Sequence, residues 1–216
     1  MESEIRPGKF ITLEGSEGVG KSSNIECVCK ALDARGIAYF RTREPGGTEI
    51  AEQLRQLLLQ PSEETLTAKS ELLLMFAARS QHIEQQILPR LEQGEWVVCD
   101  RFTDATFAYQ GYARGLGLQP IRWLEQFIQE GLNPDLTILL DLDPQIAMQR
   151  IADRPKDRME QEALRFYEAV RNGYLERAGQ FDRFHVIDAS CAMDDVARAV
   201  TECVDRYVSR VEKAIG

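Results

Sequence analysis

Long apolar runs are missing from this 216-residue chain. No stretch of 18 apolar residues occurs, so no transmembrane helix is expected. Basic residues are in deficit: Lys plus Arg number 26 against 35 Asp plus Glu, a net charge of −9. That balance argues against a general nucleic-acid-binding surface. Metal-ligand spacings are absent as well. The cysteines Cys27, Cys29, Cys99, Cys191 and Cys203 form no Cys-x-x-Cys pair, and the two histidines, His82 and His185, stand far apart. No zinc site is expected, and the odd cysteine count reads as free thiols in a reducing compartment. The opening MESEIRPGK carries acids where a signal peptide needs a basic and then an apolar stretch. It reads as a short, flexible polar arm over 1–8. With no repeat, low-complexity tract or Pro/Gly/Ser linker, a single domain over 1–216 is expected, in the cytoplasm, with no membrane or nucleic-acid partner.

What is present is an alternation. Short apolar runs at Phe10–Leu13, Ala38–Thr42, Trp96–Cys99, Leu136–Leu142 and Phe184–Ile187 have the character of buried parallel strands. Amphipathic stretches lie between them: Lys21–Arg35, Thr48–Leu59, Ser70–Glu92, Pro120–Glu130, Pro144–Ala152, Met159–Ala178 and Met193–Ala214. This pattern predicts an α/β fold, a five-stranded parallel sheet with helices on both faces. Ligands in such sheets bind beyond the carboxyl ends of the strands, so the residues just after each strand carry the functional reading.

After the first run, Gly15-Ser16-Glu17-Gly18-Val19-Gly20-Lys21-Ser22 fits G-x-x-x-x-G-K-[ST]. Glycines let successive backbone N–H groups turn around a phosphate, and the following helix adds its positive end. Lys21 is expected to reach the β and γ phosphates of ATP, and Ser22 to ligate Mg²⁺. A chance match in a chain of this size is on the order of 1%, and here the motif sits between a strand and a helix as it must.

After the third run come Asp100 and Arg101. An acid at that place serves Mg²⁺ in many phosphate-loop proteins, and the arginine fork suits a phosphate; the plain alternative is a salt bridge at a strand end. No D-x-x-G follows, and no N-K-x-D occurs, which weakens a GTPase switch reading. Four further stretches point to an acceptor. TREPGGT (Thr42–Thr48) ends the second run with Arg43. LLLMFAARSQH (Leu72–His82) sets Phe76 and Arg79 three apart, on one helix face. DRFTDATFAYQG (Asp100–Gly111) holds Thr106, Tyr109 and Gln110, of which threonine and glutamine can read the polar edge of a base. RIADRPKDRMEQE gathers Arg150, Arg154, Lys156 and Arg158. Singly, Phe76 suits a core, Gln110 a loop and the basic run a solvated face; together they suit a nucleoside monophosphate site under a cationic lid.

These stretches, from Lys9 to Val208, resemble the thymidylate kinase family, whose members phosphorylate dTMP with ATP and Mg²⁺ on a P-loop nucleoside monophosphate kinase fold. The resemblance implies that Arg43 and Arg101 hold the acceptor phosphate, that Phe76 stacks on thymine, and that Arg79, Thr106 and Gln110 meet its polar edge. It implies Tyr109 beside the sugar and Glu17 near the 3′-hydroxyl. Val19 leaves the phosphate loop without a spare cation, which resembles the bacterial design in which a lid over about 150–160 supplies catalytic arginines: Arg154 first, then Arg158, with Arg150. Tyr112 stands where the family often has glycine. A homodimer joined through helices is also implied. The rivals are a deoxynucleoside kinase, which needs a carboxylate base beside a free 5′-hydroxyl, and a nucleotide-binding switch without transfer.

Overall fold

The computed structural model describes residues 7–152, 157–159 and 161–215. β1 (Phe10–Glu14) is buried at every position, as a strand covered on both faces must be. It runs parallel to β3 (Trp96–Asp100) on one side and to β4 (Leu136–Asp141) on the other; β2 (Tyr39–Arg43) and β5 (Phe184–Asp188) close the edges in the order β2-β3-β1-β4-β5. The register pairs Leu13 with Asp100. The chain thus serves the β2 side of the sheet first and then crosses β1 to the β4 side, which leaves the carboxyl ends of β1 and β3 adjacent at the middle of the sheet. A ligand crevice belongs there.

The helices are α1 (Lys21–Ala34), α2 (Glu49–Leu59), α3 (Ala68–His82), α4 (Leu88–Glu92), α5 (Thr103–Thr106), α6 (Gln119–Gln129), α7 (Pro144–Arg150), α8 (Leu164–Ala178) and α9 (Met193–Ile215). Ile25, Val28 and Leu32 of α1, with Val200, Val204 and Val208 of α9, pack against Ile11, Leu13 and Ile138 on one face of the sheet. On the other face Phe10, Val97, Cys99 and Phe102 meet Ile83, Ile87 and Leu91, while α8 brings Val170 and Tyr174 against Leu139. All five cysteines are free thiols, and Cys99 is a fully buried core residue.

Three expectations are corrected. The helix expected over Ser70–Glu92 is not uniform: α3 gives way to a π-helical turn at Ile83–Ile87 before α4. Pro89 lacks an N–H and its ring crowds the preceding turn, so a widened turn just before it relieves both problems. The helix expected from Met159 begins only at Leu164; Met159 instead tucks into the core with its carbonyl accepting from the Tyr167 hydroxyl at 2.9 Å. Gly8, expected within the flexible arm over 1–8, is instead buried, and its N–H donates to the Leu91 carbonyl at 2.7 Å. The stretch after β3, which lies outside the helices expected from the sequence, folds as α5 continued by a π-helix over Phe107–Ala113. Among the described residues no helix is long and apolar enough to cross a membrane.

Candidate active site

The loop from Gly15 to Ser22 joins β1 to α1. Gly18 has φ 75°, and a Cβ there would lie 2.3 Å from the Ala147 carbonyl oxygen of α7. Only glycine lets loop and helix approach so closely. Gly20 caps α1 without any side-chain bond to its first turn. The free N–H groups there, with the dipole behind them, favour an anion. The Lys21 amine folds back over the loop and donates to the carbonyls of Gly15 (3.0 Å) and Ser16 (2.7 Å). Burial and the nearby Arg101 draw its pKa down to about 8, against the pull of Asp100, Glu17 and Glu14. Val19 is buried in the core under the sheet. The Ser22 side faces solvent and shares a cavity with Asp100, Arg43 and Thr48.

The turn after β3 is held in an uncommon conformation. Arg101 has φ 69°, which for a residue with a Cβ costs about 1–2 kcal/mol. Three bonds hold it: Arg101 N–H to the Leu13 carbonyl (3.0 Å), Phe102 N–H to Glu14 Oε1 (2.7 Å) and Cys99 Sγ to the Arg101 carbonyl (3.0 Å). The result sends Asp100 and Arg101 together into the crevice. The Arg101 guanidinium donates to Glu17 (2.8 Å) and to the Tyr174 hydroxyl (3.0 Å), and lies 5.0 Å from the Tyr109 ring centre. Tyr109 donates to the other Glu17 oxygen at 2.6 Å. Burial would raise the Glu17 carboxyl; Arg101, Lys21 and Tyr109 outweigh it and hold the pKa below the ordinary value. Asp100 Oδ1 is buried without a partner. Among the described residues no cluster of three or more His, Cys, Asp or Glu forms a metal cage. A cation that keeps most of its waters, and takes one carboxylate plus phosphate oxygens, needs no such cage.

Beside this turn lies a cleft lined by Arg43, Arg55, Met75, Arg79, Phe102, Thr106, Tyr109 and Gln110. β2 delivers Arg43 at its carboxyl end, where the guanidinium pairs with Glu52 at 2.9 Å. Arg55 comes from α2 and donates to the Pro45 carbonyl at 2.9 Å. Burial and its neighbour Arg43 lower its pKa, a sign of cations crowded together. Arg79 is almost wholly buried: Nε donates to Glu44 (2.7 Å), Nη2 to the Thr106 hydroxyl (2.9 Å), and Nη1 has no partner. His82 supports the same Glu44 carboxylate at 3.2 Å and meets Thr42 at 2.7 Å. Gly47 passes so near that a Cβ would lie 2.4 Å from His82 Nε2.

Phe76, expected as the stacking ring, is turned into the core. It is 1% exposed and packs with Leu72, Phe107 and Ile121. The residue before it, Met75, lines the cleft instead. One position on an α-helix is a 100° rotation, and Met75 stands four residues before Arg79, on its face of α3, as Phe76 does at three. The choice between them depends on how α3 is rotated against α6, which spacing alone does not set. The other residues missed from the sequence are Arg55, Glu44, Glu71 and Tyr174. Arg55 had one signal, its i, i+3 relation to Glu52 on a helix that follows the Arg43 turn.

The basic stretch divides. Arg150 ends α7, donates to the Ala189 carbonyl at 3.2 Å, and lines a cavity over the phosphate loop with Lys21, Ser22 and Arg101. Glu17, Arg55, Arg101 and Asp157 line both this cavity and the cleft beside the Arg101 turn. Arg158 is corrected: it turns away from the phosphate loop, donating through Nη2 to Glu71 (2.5 Å) and through Nε to the Leu58 carbonyl (2.8 Å). Glu71 is fully buried and draws in both Arg158 and Arg114 to balance its charge. Arg154 and Lys156 lie outside the described residues.

The thymidylate kinase family profile matches residues 13–200. A thymidylate kinase of Chromohalobacter salexigens is 55% identical over 200 residues, covering 91% of this chain and 94% of that protein. One of Pseudomonas entomophila is 52% identical over 205 residues, covering 94% and 98%. A G-x-x-x-x-G-K-S loop beside an arginine-lined cleft, with likeness of this extent along the chain, leads to one conclusion: the chain belongs to the thymidylate kinase family.

Proposed function

We propose that the chain is an enzyme that phosphorylates dTMP to dTDP, with ATP as donor in the cavity over the phosphate loop. The observation that carries the residue assignment is the continuity of the two cavities, with Arg55 and Arg101 lining both. Three arginines, Arg43, Arg55 and Arg101, at the mouth of the acceptor cleft favour an acceptor that already carries phosphate. A kinase acting on a free 5′-hydroxyl needs a carboxylate base there. Glu17 is instead engaged by Arg101 and Tyr109.

In this reading the residues of Gly15–Gly20 cradle the donor phosphates with backbone N–H groups, and Lys21 leaves its loop carbonyls for a phosphate oxygen. Arg43, Arg55 and Arg101 hold the acceptor phosphate in line, and positioning and charge neutralisation supply most of the acceleration. The unpartnered Asp100 Oδ1 and the exposed Ser22 hydroxyl suit Mg²⁺, which when bound with ATP neutralises charge on the moving phosphoryl group. Met75 and Phe102 form the apolar walls against the base, and Tyr109 with Glu17 meets the sugar. Arg150 is the lid-side cation, and Arg154 remains the sequence-based choice for the finger that meets the transferring group. Leu73, Trp123 and Phe127 are exposed on α3 and α6, with the two rings stacked at 5.6 Å, which supports a homodimer through these helices. The absence of a membrane-spanning helix among the described residues is consistent with a cytoplasmic place.

The experiment is ADP production from ATP and Mg²⁺ with a panel of nucleosides and nucleoside monophosphates. Turnover with dTMP is expected. Turnover with thymidine alone supports the deoxynucleoside kinase, and none with any acceptor supports the switch. Sedimentation or light scattering tests the dimer.

A further inference from the structure

Gln110 does not stand alone in the cleft wall. Its Nε2 donates to Glu71 Oε1 at 2.8 Å, and Glu71 is fully buried. Arg114 (3.2 and 3.3 Å) and Arg158 (2.5 Å) donate to the same carboxylate. Burial would raise the Glu71 pKa, but the Gln110 amide and the two guanidiniums outweigh it and hold the group below its ordinary value. An ionised carboxylate only accepts hydrogen bonds. The NH₂ end of Gln110 must therefore face Glu71, because the opposite orientation would set two acceptors against each other. The carbonyl Oε1 is left as the other end of the amide. Arg79 lines the same cleft, and its Nη1 is buried without a partner and can only donate.

We propose that Glu71 is a positioning residue for base choice: it fixes the Gln110 amide so that the cleft offers one acceptor, from Gln110, beside one donor, from Arg79. That pair complements a pyrimidine carrying an N3–H next to a 4-oxo group. A 4-amino pyrimidine has a bare N3 and an NH₂, so it meets acceptor with donor reversed at both places. Glu71 thus selects the ring without touching it. The inference rests on the reading of the cleft as the dTMP site.

The test compares kcat/KM for dTMP and dCMP, with saturating ATP and Mg²⁺, in wild type, Gln110→Ala and Glu71→Gln. A glutamine at 71 presents both a donor and an acceptor, so the Gln110 amide is free to turn over. The dTMP/dCMP ratio is expected to fall by about tenfold or more in Glu71→Gln, chiefly through a raised KM for dTMP with kcat little changed. Gln110→Ala is expected to lower the same ratio. If Glu71→Gln melts like wild type and keeps the ratio, or loses turnover on both substrates by one factor, while Gln110→Ala lowers the ratio, the positioning role is overturned and the cleft reading stands. If Gln110→Ala also keeps the ratio, the cleft reading fails and the inference falls with it. Should Glu71→Gln not fold, Glu71→Asp decides on the same ratio, since it keeps the charge that Arg114 and Arg158 balance but withdraws the carboxylate by one methylene.

Discussion

The phosphate loop and the acceptor cleft lie side by side, yet they are built in opposite ways. The loop is eight consecutive residues, Gly15 to Ser22, between one strand and one helix, and what it offers a ligand is mainly backbone N–H groups. The cleft takes Arg43 from β2, Arg55 from α2, Met75 and Arg79 from α3, and Tyr109 and Gln110 from the segment after α5, and it uses side chains. Backbone chemistry needs only a local conformation. Side-chain chemistry needs separate elements to be rotated and held, which is the task of a buried second tier: Glu44 and His82 for Arg79, Glu71 for Gln110, Glu14 and Tyr174 for Arg101.

The sharpest way to break the comparison is at its most local point. Lys21→Ala is expected to lower kcat by at least about 100-fold while the melting temperature stays close to wild type, since the amine's hydrogen bonds go to carbonyls of its own loop. A folded variant with normal turnover would remove the loop from the mechanism. In the cleft, Arg55→Ala is expected to cost roughly 10- to 100-fold in kcat/KM for dTMP, the range for a lost charged hydrogen bond, with ATP affinity little changed. An effect on ATP alone would reassign Arg55 to the donor side.

The rotation of α3 gives a paired test. Phe76→Ala empties a core position and is expected to cost about 3–5 kcal/mol of stability. Met75→Ala is expected to leave stability nearly unchanged and to raise the KM for dTMP by about two- to tenfold, the range of sulfur–ring contacts. Denaturant unfolding and steady-state kinetics on both variants separate the roles; the reverse pattern would return Phe76 to the base. Two arginines of the basic stretch form another pair. Arg158→Ala is expected to cost about 1–2 kcal/mol of stability, by removing one of several partners of Glu71, with kcat kept near wild type. Arg154→Ala is expected to lower kcat and leave dTMP affinity unchanged. Equal losses of kcat in both would place Arg158 back among the catalytic cations.

The smallest effect concerns pH. Burial, then the charge of Asp104, raise the Glu14 pKa to about 8, against the pull of Arg101 and the bonds from Tyr174 and Phe102. In the unfolded chain the group ionises near 4.5. Between these values the folded state holds the extra proton, so stability should fall as pH rises from about 4.5 and level off above about 8. Melting of wild type and Glu14→Gln across this range checks it: the variant should lose that part of the slope.

The loop was legible in the sequence because every requirement it has is local: a strand, glycines at fixed offsets and a lysine at the start of a helix. The strands were legible for the same reason, each a short run of apolar residues whose ends shifted by only a residue or so in the fold. Arg43, Arg101, Thr106, Tyr109 and Gln110 were named from short stretches, and the fold brings them to one cleft. Phe76 and Arg158 lie elsewhere than the sequence led one to expect, because composition states what a residue is able to do and not which way it faces. Phe76 has a ring fit for stacking, yet Leu72, Phe107 and Ile121 claim it. Arg158 belongs to a basic run, yet a buried carboxylate 87 positions earlier takes its guanidinium. The sequence by itself determined the succession of strands and helices along the chain, the phosphate-loop motif and the chemistry available to it. Only the tertiary structure decided which face of α3 meets the cleft, which arginines line it and which balance Glu71, because burying a charge or a ring is settled by partners that lie far away in sequence and meet only when the sheet and its helices have packed.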